Sequence, residues 1–256
     1  MARIISIVNQ KGGVGKTTTA VNLAAYLAEA GSRVLLIDFD PQGNASVGLG
    51  IDYKSLARGI YEVLVDPTLP LRDIIHMRED NLHVAPSTPN LAGAAVELVN
   101  VPRREYVLQD NLRDVEPHYD FILIDNPPSL GLLTINSLVA AREVLIPVQC
   151  EYYALEGLGQ LLHTIALIKE NLNPDLQVLG AVMTMFDWRS RLTEAVFNEL
   201  YQFFPQKIFR SVIPRSIRLA EAPSHGKSIR EYDKLSRGAR AYRKLSQEII
   251  ASALSI

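Results

Sequence analysis

The densest run of residues able to do chemistry is Asn9-Gln10-Lys11-Gly12-Gly13-Val14-Gly15-Lys16-Thr17-Thr18. Gly12, Gly13 and Gly15 let the backbone curl so that successive N–H groups point inward, and such a nest of amide donors binds phosphate oxygens. Lys16 would neutralise β- and γ-phosphate charge, and the Thr17 hydroxyl is an oxygen donor of the kind Mg²⁺ takes. A helix beginning near Lys16 would add the positive end of its dipole. The run departs from G-x-x-x-x-G-K-[ST] at one point. Gln10 stands where the first glycine belongs, and Lys11 occupies the next position. The whole run follows the deviant Walker A form, K-G-G-x-G-K-[ST]-[ST].

A phosphate loop needs acids that handle metal and water, and these belong at the carboxyl ends of neighbouring strands. Two candidates stand there. Leu35-Leu36-Ile37-Asp38 leads into Phe39-Asp40-Pro41-Gln42-Gly43-Asn44, and Phe121-Ile122-Leu123-Ile124-Asp125 leads into Asn126-Pro127-Pro128. Four apolar residues closed by an acid is the Walker B form. Asp125 is expected to hold Mg²⁺ through water, Asp38 to support the metal shell, and Asp40 to orient or deprotonate the attacking water. An acid at a strand end is, by itself, as readily a turn or a helix cap. It is the company of the phosphate loop that favours the functional reading.

The elements that would carry these groups are legible as an alternation. Strands are expected at Ile4–Val8, Val34–Asp38, Asn81–Ala85, Phe121–Asp125, Glu143–Val148 and Gln177–Thr184. Helices are expected over Lys16–Ala30, Pro89–Val99, Arg103–Val115, Gly131–Ala141, Ala154–Leu172 and Leu192–Phe203. The expected fold is α/β of the P-loop NTPase type: a mostly parallel twisted sheet with helices on both faces, forming one domain over 1–256. Between Gly43 and Asp80 only short helical patches separate turn residues.

The 256 residues, 48% hydrophobic and 21% charged, suit a folded protein and exclude a wholly disordered or fibrous chain. One cysteine, Cys150, excludes an internal disulfide and any cysteine-only metal site, and reads as a small buried hydrophobe. The five histidines show no metal-ligand spacing. No stretch approaches the roughly 18 apolar residues of a spanning helix. The stripe Ala241, Leu245, Ile249, Ala253 reads as a face docked on the domain. The formal charge of −2 conceals an asymmetry. Met1–Phe186 carries 13 basic and 21 acidic residues, whereas Asp187–Lys244 carries 13 basic and 6 acidic. Such a contrast points to a polyanionic partner or, more blandly, to a solvated basic surface.

At this point the chain resembles the ParA/Soj family of partition ATPases, within the wider ParA/MinD group and closest to short chromosomal Soj-type proteins. The resemblance covers nearly the whole chain. It rests on the two boxes, on Asp38-Phe39-Asp40-Pro41-Gln42-Gly43-Asn44, on Pro127–Gly131, on Pro147–Gly157, on Ile213-Pro214-Arg215 and on Glu221–Lys227. One residue departs from it: Asn126 stands where a small uncharged residue such as Cys, Thr or Ser is expected. The resemblance implies ATP and Mg²⁺ as ligands and an ATP-dependent sandwich homodimer. Lys11 would be the signature lysine reaching the partner's phosphates, with the logic of an arginine finger. Gly12 would lie where the two backbones approach. Met185, Pro214 and Ser216 would lie at the adenine end.

The resemblance also implies binding of double-stranded DNA without sequence preference, through Arg189 and Arg218, in the ATP-bound dimer. Arg191, Lys227, Arg230 and Lys234 are further candidates on composition. A ParB-type centromere-binding protein would stimulate hydrolysis, and the protein would be cytoplasmic and nucleoid-associated, without a membrane role. With the first strand at Ile4–Val8, no helix-turn-helix domain is expected before it, and sequence-specific operator binding is not expected. A membrane-cycling MinD-like ATPase would need a basic amphipathic C-terminal helix, and the tail after Lys244 is poor in cations. A nitrogenase-type iron protein would need cluster cysteines. A DNA-binding scaffold without hydrolysis is the remaining alternative.

Overall fold

Residues 1–150, 157–187, 191–205 and 207–253 are described by the structure, a computed structural model. Seven strands form one sheet: β1 Arg3–Ile7, β2 Val34–Asp38, β3 His76–Glu79, β4 Leu82–Ala85, β5 Phe121–Asp125, β6 Glu143–Gln149 and β7 Gln177–Thr184. Their spatial order is β3-β4-β2-β5-β1-β6-β7. Every pairing is parallel except β3 with β4. β2, β5 and β7 have the bounds expected from sequence. β3 was not foreseen. It is a short edge strand whose alternation is too brief and too polar to be distinguished from the turns around it.

The helices are α1 Lys16–Glu29, α2 Asn44–Gly48, α3 Ile60–Val65, α4 Leu91–Glu97, α5 Val107–Leu112, α6 Leu132–Ala140, α7 Leu158–Asn171, α8 Arg191–Phe203, α9 Ile217–Glu221, α10 Ile229–Tyr232 and α11 Arg237–Ala253. The expected helix over Arg103–Val115 is broken: a 3-10 turn at Arg104–Tyr106 precedes the shorter α5. Arg103, at φ 56°, lies outside the helical stretch and precedes the 3-10 turn.

Strand side chains alternate between two cores, one on each face of the sheet. Leu35, Ile37, Ile122 and Ile124 enter one core with the residues of α3 to α7, and Val34, Leu36, Leu123 and Leu145 enter the other with α1 and α11. Because β2 and β5 are covered on both faces, all their residues are buried, which explains their unbroken apolar sequences. The C-terminal stripe is docked as expected. Leu245 and Ile249 are fully buried in the α1 core, the Tyr242 and Thr19 hydroxyls lie 3.2 Å apart, and Arg3 is paired with Glu143 while donating to the Ile249 carbonyl. Among the described residues no helix is long and apolar enough to cross a membrane.

The strand order matters for chemistry. From β1 the chain crosses to β2 on one side and later to β6 on the other, so a crevice opens beyond the carboxyl ends of the central strands. The loop 8–15 lies there.

Candidate functional site

The phosphate loop joins β1 to α1 and is braced from both sides. Asn9 Nδ2 donates to the Pro147 carbonyl at 2.7 Å, and its Oδ1 accepts from the Lys11 N–H at 2.9 Å. Thr184 Oγ1, at the end of β7, donates to the Val14 carbonyl at 2.7 Å. Gly13 and Gly15 have φ of 75° and 89°, the left-handed region that favours glycine. Gly12 does not, and a Cβ placed there would meet nothing within 4 Å of this chain. Nothing in the backbone or packing of one chain therefore demands glycine at 12.

A cavity of about 530 Å³ opens above the loop. Gly12, Gly13, Gly15, Lys16, Thr17, Thr18, Asp40 and Met185 line it, as expected from sequence. Val14 is buried beneath them. Pro214 and Ser216 are not among the lining residues, and Pro214 lines a neighbouring cavity beside α11. The bridge between Phe186 and Pro214 nevertheless keeps this segment beside Met185. Met185 has φ 51°, unusual for a residue with a side chain and the kind of outlier found at functional sites.

Other lining residues were not expected at the nucleotide site, and one of them, Lys227, was expected among the DNA-contact candidates. Asn22, Gln42 and Asn44 line the cavity, and so do Pro223, Ser224 and Lys227. The runs Asp38–Asn44 and Glu221–Lys227 were visible as family-like stretches, but their meeting across α1 is a tertiary contact. Asn22, on α1, holds the segment just after the second run: its Nδ2 donates to the Thr18 carbonyl at 2.8 Å, and its Oδ1 accepts from the Ile229 N–H at 2.6 Å.

The acids converge on the loop. β5 lies between β1 and β2, with Ile7 opposite Asp125 and Asp125 opposite Asp38. Asp125 is fully buried, and neither of its carboxylate oxygens has a hydrogen-bond partner. Burial, then the neighbouring Asp38 charge, raises its pKa well above the ordinary carboxylate value, while the nearby Thr17 hydroxyl and Lys16 ammonium act in the opposite direction. The Asp38 carboxyl is pushed up to about 6 by burial, against hydrogen bonds from Ser46 Oγ and Ser46 N, both 2.7 Å. These bonds place Asp38 as the anchor of α2. Asp40 Oδ1 accepts from the Gln42 N–H at 3.0 Å. Burial lowers the Lys16 pKa, opposed by Asp125 and Asp40. Three carboxylates thus meet one buried lysine, an arrangement short of positive charge.

No group of three or more His, Cys, Asp or Glu side chains among the described residues forms a metal cage. The donor set fits a cation that keeps waters and phosphate oxygens as ligands, such as Mg²⁺, with orphaned buried oxygens on Asp125 and a hydroxyl on Thr17.

Arg218 is exposed at the start of α9, paired with Glu221 at 3.1 Å and Asp233 at 3.7 Å. Arg230 pairs with Glu79. Arg189 lies outside the described residues, as does Trp188, and nothing is described of the Arg191 side chain. Cys150 is buried, and its thiol is pushed up to about 12 by desolvation, consistent with a packing role.

A family described as AAA domain matches residues 2–178. The chromosome partitioning protein ParA of Myxococcus xanthus is 53% identical over 251 residues, covering 98% of this chain and 88% of that protein. The chromosome-partitioning ATPase Soj of Thermus thermophilus is 51% identical over 249 residues, covering 97% and 96%. The chain belongs to the ParA/Soj family of partitioning ATPases. A solved structure described as cobyrinic acid a,c-diamide synthase of Mycobacterium smegmatis, with bound ADP and magnesium, superposes with a TM-score of 0.89 at 35% identity, covering 100% of this chain and 96% of that one. That protein's name gives a different activity. A P-loop scaffold hosts many reactions, so this likeness speaks for the fold, whereas the two sequence relatives carry the ParA/Soj assignment.

Proposed function

We propose that the cavity binds ATP with Mg²⁺, that two ATP-bound chains form a sandwich dimer, and that the dimer holds DNA without sequence preference until hydrolysis releases it. The observation that carries the reading is the convergence of the phosphate loop, Asp40 and Thr17 on one cavity, with Asp125 and Asp38 beneath it.

Gly13 to Thr18 would receive the phosphates through backbone N–H groups, the Lys16 ammonium and the N-terminus of α1. Lys16 already has its ammonium folded over the loop, 3.3 Å from the Lys11 carbonyl. Thr17 and Asp125 would hold Mg²⁺, with Asp38 behind them; when bound, the ion would neutralise the carboxylate excess and the charge on the transferring phosphoryl group. Asp40, on the cavity wall, would orient the attacking water and accept its proton. Met185, with the neighbouring Pro214–Ser216 segment, would flank the base.

The chain would act as a single domain whose site is completed by a second copy. Lys11 would stabilise phosphoryl charge in the partner's site. The open space at Gly12 supports this, because the requirement for glycine would lie across the dimer interface. Arg218, with Arg189, would contact DNA phosphates, and a ParB-type protein would stimulate hydrolysis. In the cell the protein would be cytoplasmic and associate with the nucleoid through the DNA contacts. Phosphate contacts give affinity that falls with salt and is blind to sequence.

The test is DNA binding and oligomeric state measured with ATP, with ADP and without nucleotide, at two salt concentrations. ATP alone should produce a dimer and salt-sensitive DNA binding. Gly12→Val should keep ATP binding while losing the dimer, and Arg189→Ala with Arg218→Ala should keep the dimer while losing DNA. DNA affinity equal in all nucleotide states would refute the reading.

A further inference from the structure

Asn126 is the residue at which this chain departs from the family pattern, and it occupies an unusual position in the sheet. β1 and β5 are paired up to Ile7 and Asp125. Beyond these residues β1 turns into the phosphate loop and β5 into Pro127-Pro128. Asn126 follows Asp125 directly, at the point where the two strands diverge.

The Asn126 amide adds side-chain hydrogen bonds at this fork. Its side chain is fully buried. Nδ2 lies 3.1 Å from the Ile7 carbonyl, 3.2 Å from the Ile124 carbonyl and 3.0 Å from Ser6 Oγ. Ser6 Oγ lies 2.7 Å from Ser137 Oγ on α6. The two carbonyls are acceptors only, which settles the orientation of the amide. One primary amide therefore ties the last residues of β1 and β5 together and, through Ser6, reaches the helix that follows the Asp125 loop. A small hydroxyl or thiol at position 126 has at most one proton to donate, so it could not serve both carbonyls.

We propose that Asn126 is a positioning residue for ATP hydrolysis: by clamping the β1–β5 fork it fixes the Asp125 carboxylate relative to the phosphate loop, and so sets how well the site takes a divalent cation together with the nucleotide. It touches neither nucleotide nor metal and acts through Asp125, so the inference rests on the reading of Asp125 as the metal-supporting acid. Partners behind a metal site hold its ligands in place, and losing one typically costs about 10–100-fold in metal affinity or activity.

The experiment uses the full chain and a fluorescent ATP analogue, with affinity measured in EDTA and across a Mg²⁺ titration, beside a thermal melt. In Asn126→Ala, the Mg²⁺ concentration that half-saturates the tightening of nucleotide binding should rise about tenfold, with affinity in EDTA within about twofold of the parent. Asn126→Ser, which keeps one donor, should lie between the two and serves as the readout if the alanine variant does not melt cooperatively. Unchanged Mg²⁺ dependence in a cooperatively folded variant would overturn the inference. Asp125→Asn in the same titration separates the two ideas. If it leaves the Mg²⁺ dependence unchanged, the reading of Asp125 has failed. If it shifts that dependence and the Asn126 variants do not, the clamp alone has failed.

Discussion

The phosphate loop and the basic segment 187–244 handle charge in opposite ways. At the loop, Lys16 and three carboxylates share one largely buried site, where burial and neighbouring charges shift Lys16, Asp38 and Asp125. In the basic segment, arginines among the described residues sit in separate, partly exposed ion pairs. Arg218 pairs with Glu221 and Asp233, Arg230 with Glu79 and Arg243 with Glu29, two of them drawing their acid from the acidic part of the chain. Charges removed from water interact strongly and are poorly screened, whereas exposed pairs are worth little each and weaken with salt. One region should fail at single substitutions, and the other should decline by increments.

The largest effect should come from the buried lysine. In Lys16→Ala, binding of ATP measured by calorimetry should be lost, because the variant removes the one ammonium set among the three carboxylates. ATP affinity within a few-fold of the parent would break the contrast at its strong end. Asp40→Ala comes next: removal of a positioned base should slow turnover by about 10²–10⁴-fold while ATP still binds. A phosphate-release assay with and without DNA measures it, and near-normal turnover would exclude Asp40 as the residue that handles water.

A smaller effect concerns pH. The folded Asp38 carboxyl has its pKa raised to about 6, above its unfolded value, so the folded state holds that proton more tightly. The contribution of this group to stability is full at low pH, below the unfolded pKa, and is lost as pH rises through about 6. Chemical denaturation without nucleotide should show this slope in the parent and a flatter one in Asp38→Asn. An identical slope in both would remove Asp38 from the coupled set. The smallest single effect belongs to Arg218→Ala. If each protomer's Arg218 contacts one phosphate, the slope of log DNA affinity against log salt should fall by about 2 for the dimer, with dimerisation intact. Complete loss of DNA binding from this one change would show that the basic segment is as concentrated as the loop.

Much of the fold and loop chemistry was legible because it is local. The tract Lys11–Thr18 places its donors by chain connectivity, and the apolar runs ending in Asp38 and Asp125 announce buried parallel strands. β3 and the left-handed turn at Arg103 leave no periodic trace in sequence: the strand has four residues, three of them polar, and the turn rests on one residue. Composition offers Lys227 only as a candidate DNA contact, yet it lines the cavity. The partner of Arg230, Glu79, is 151 positions away in sequence, beyond any pattern of spacing.

The sequence by itself determined which groups this protein has for phosphate chemistry and that they follow strand ends. The tertiary structure decided which of them share a site. Strand order sets β5 between β1 and β2, and this nonlocal arrangement brings Asp125 and Asp38 beneath a loop more than a hundred residues from Asp125. It also turns Asn126 from an exception in a pattern into a clamp on the fork between two strands. Residue types are a property of the chain, but shared burial depends on packing between distant segments, and burial determines how strongly charges act on one another.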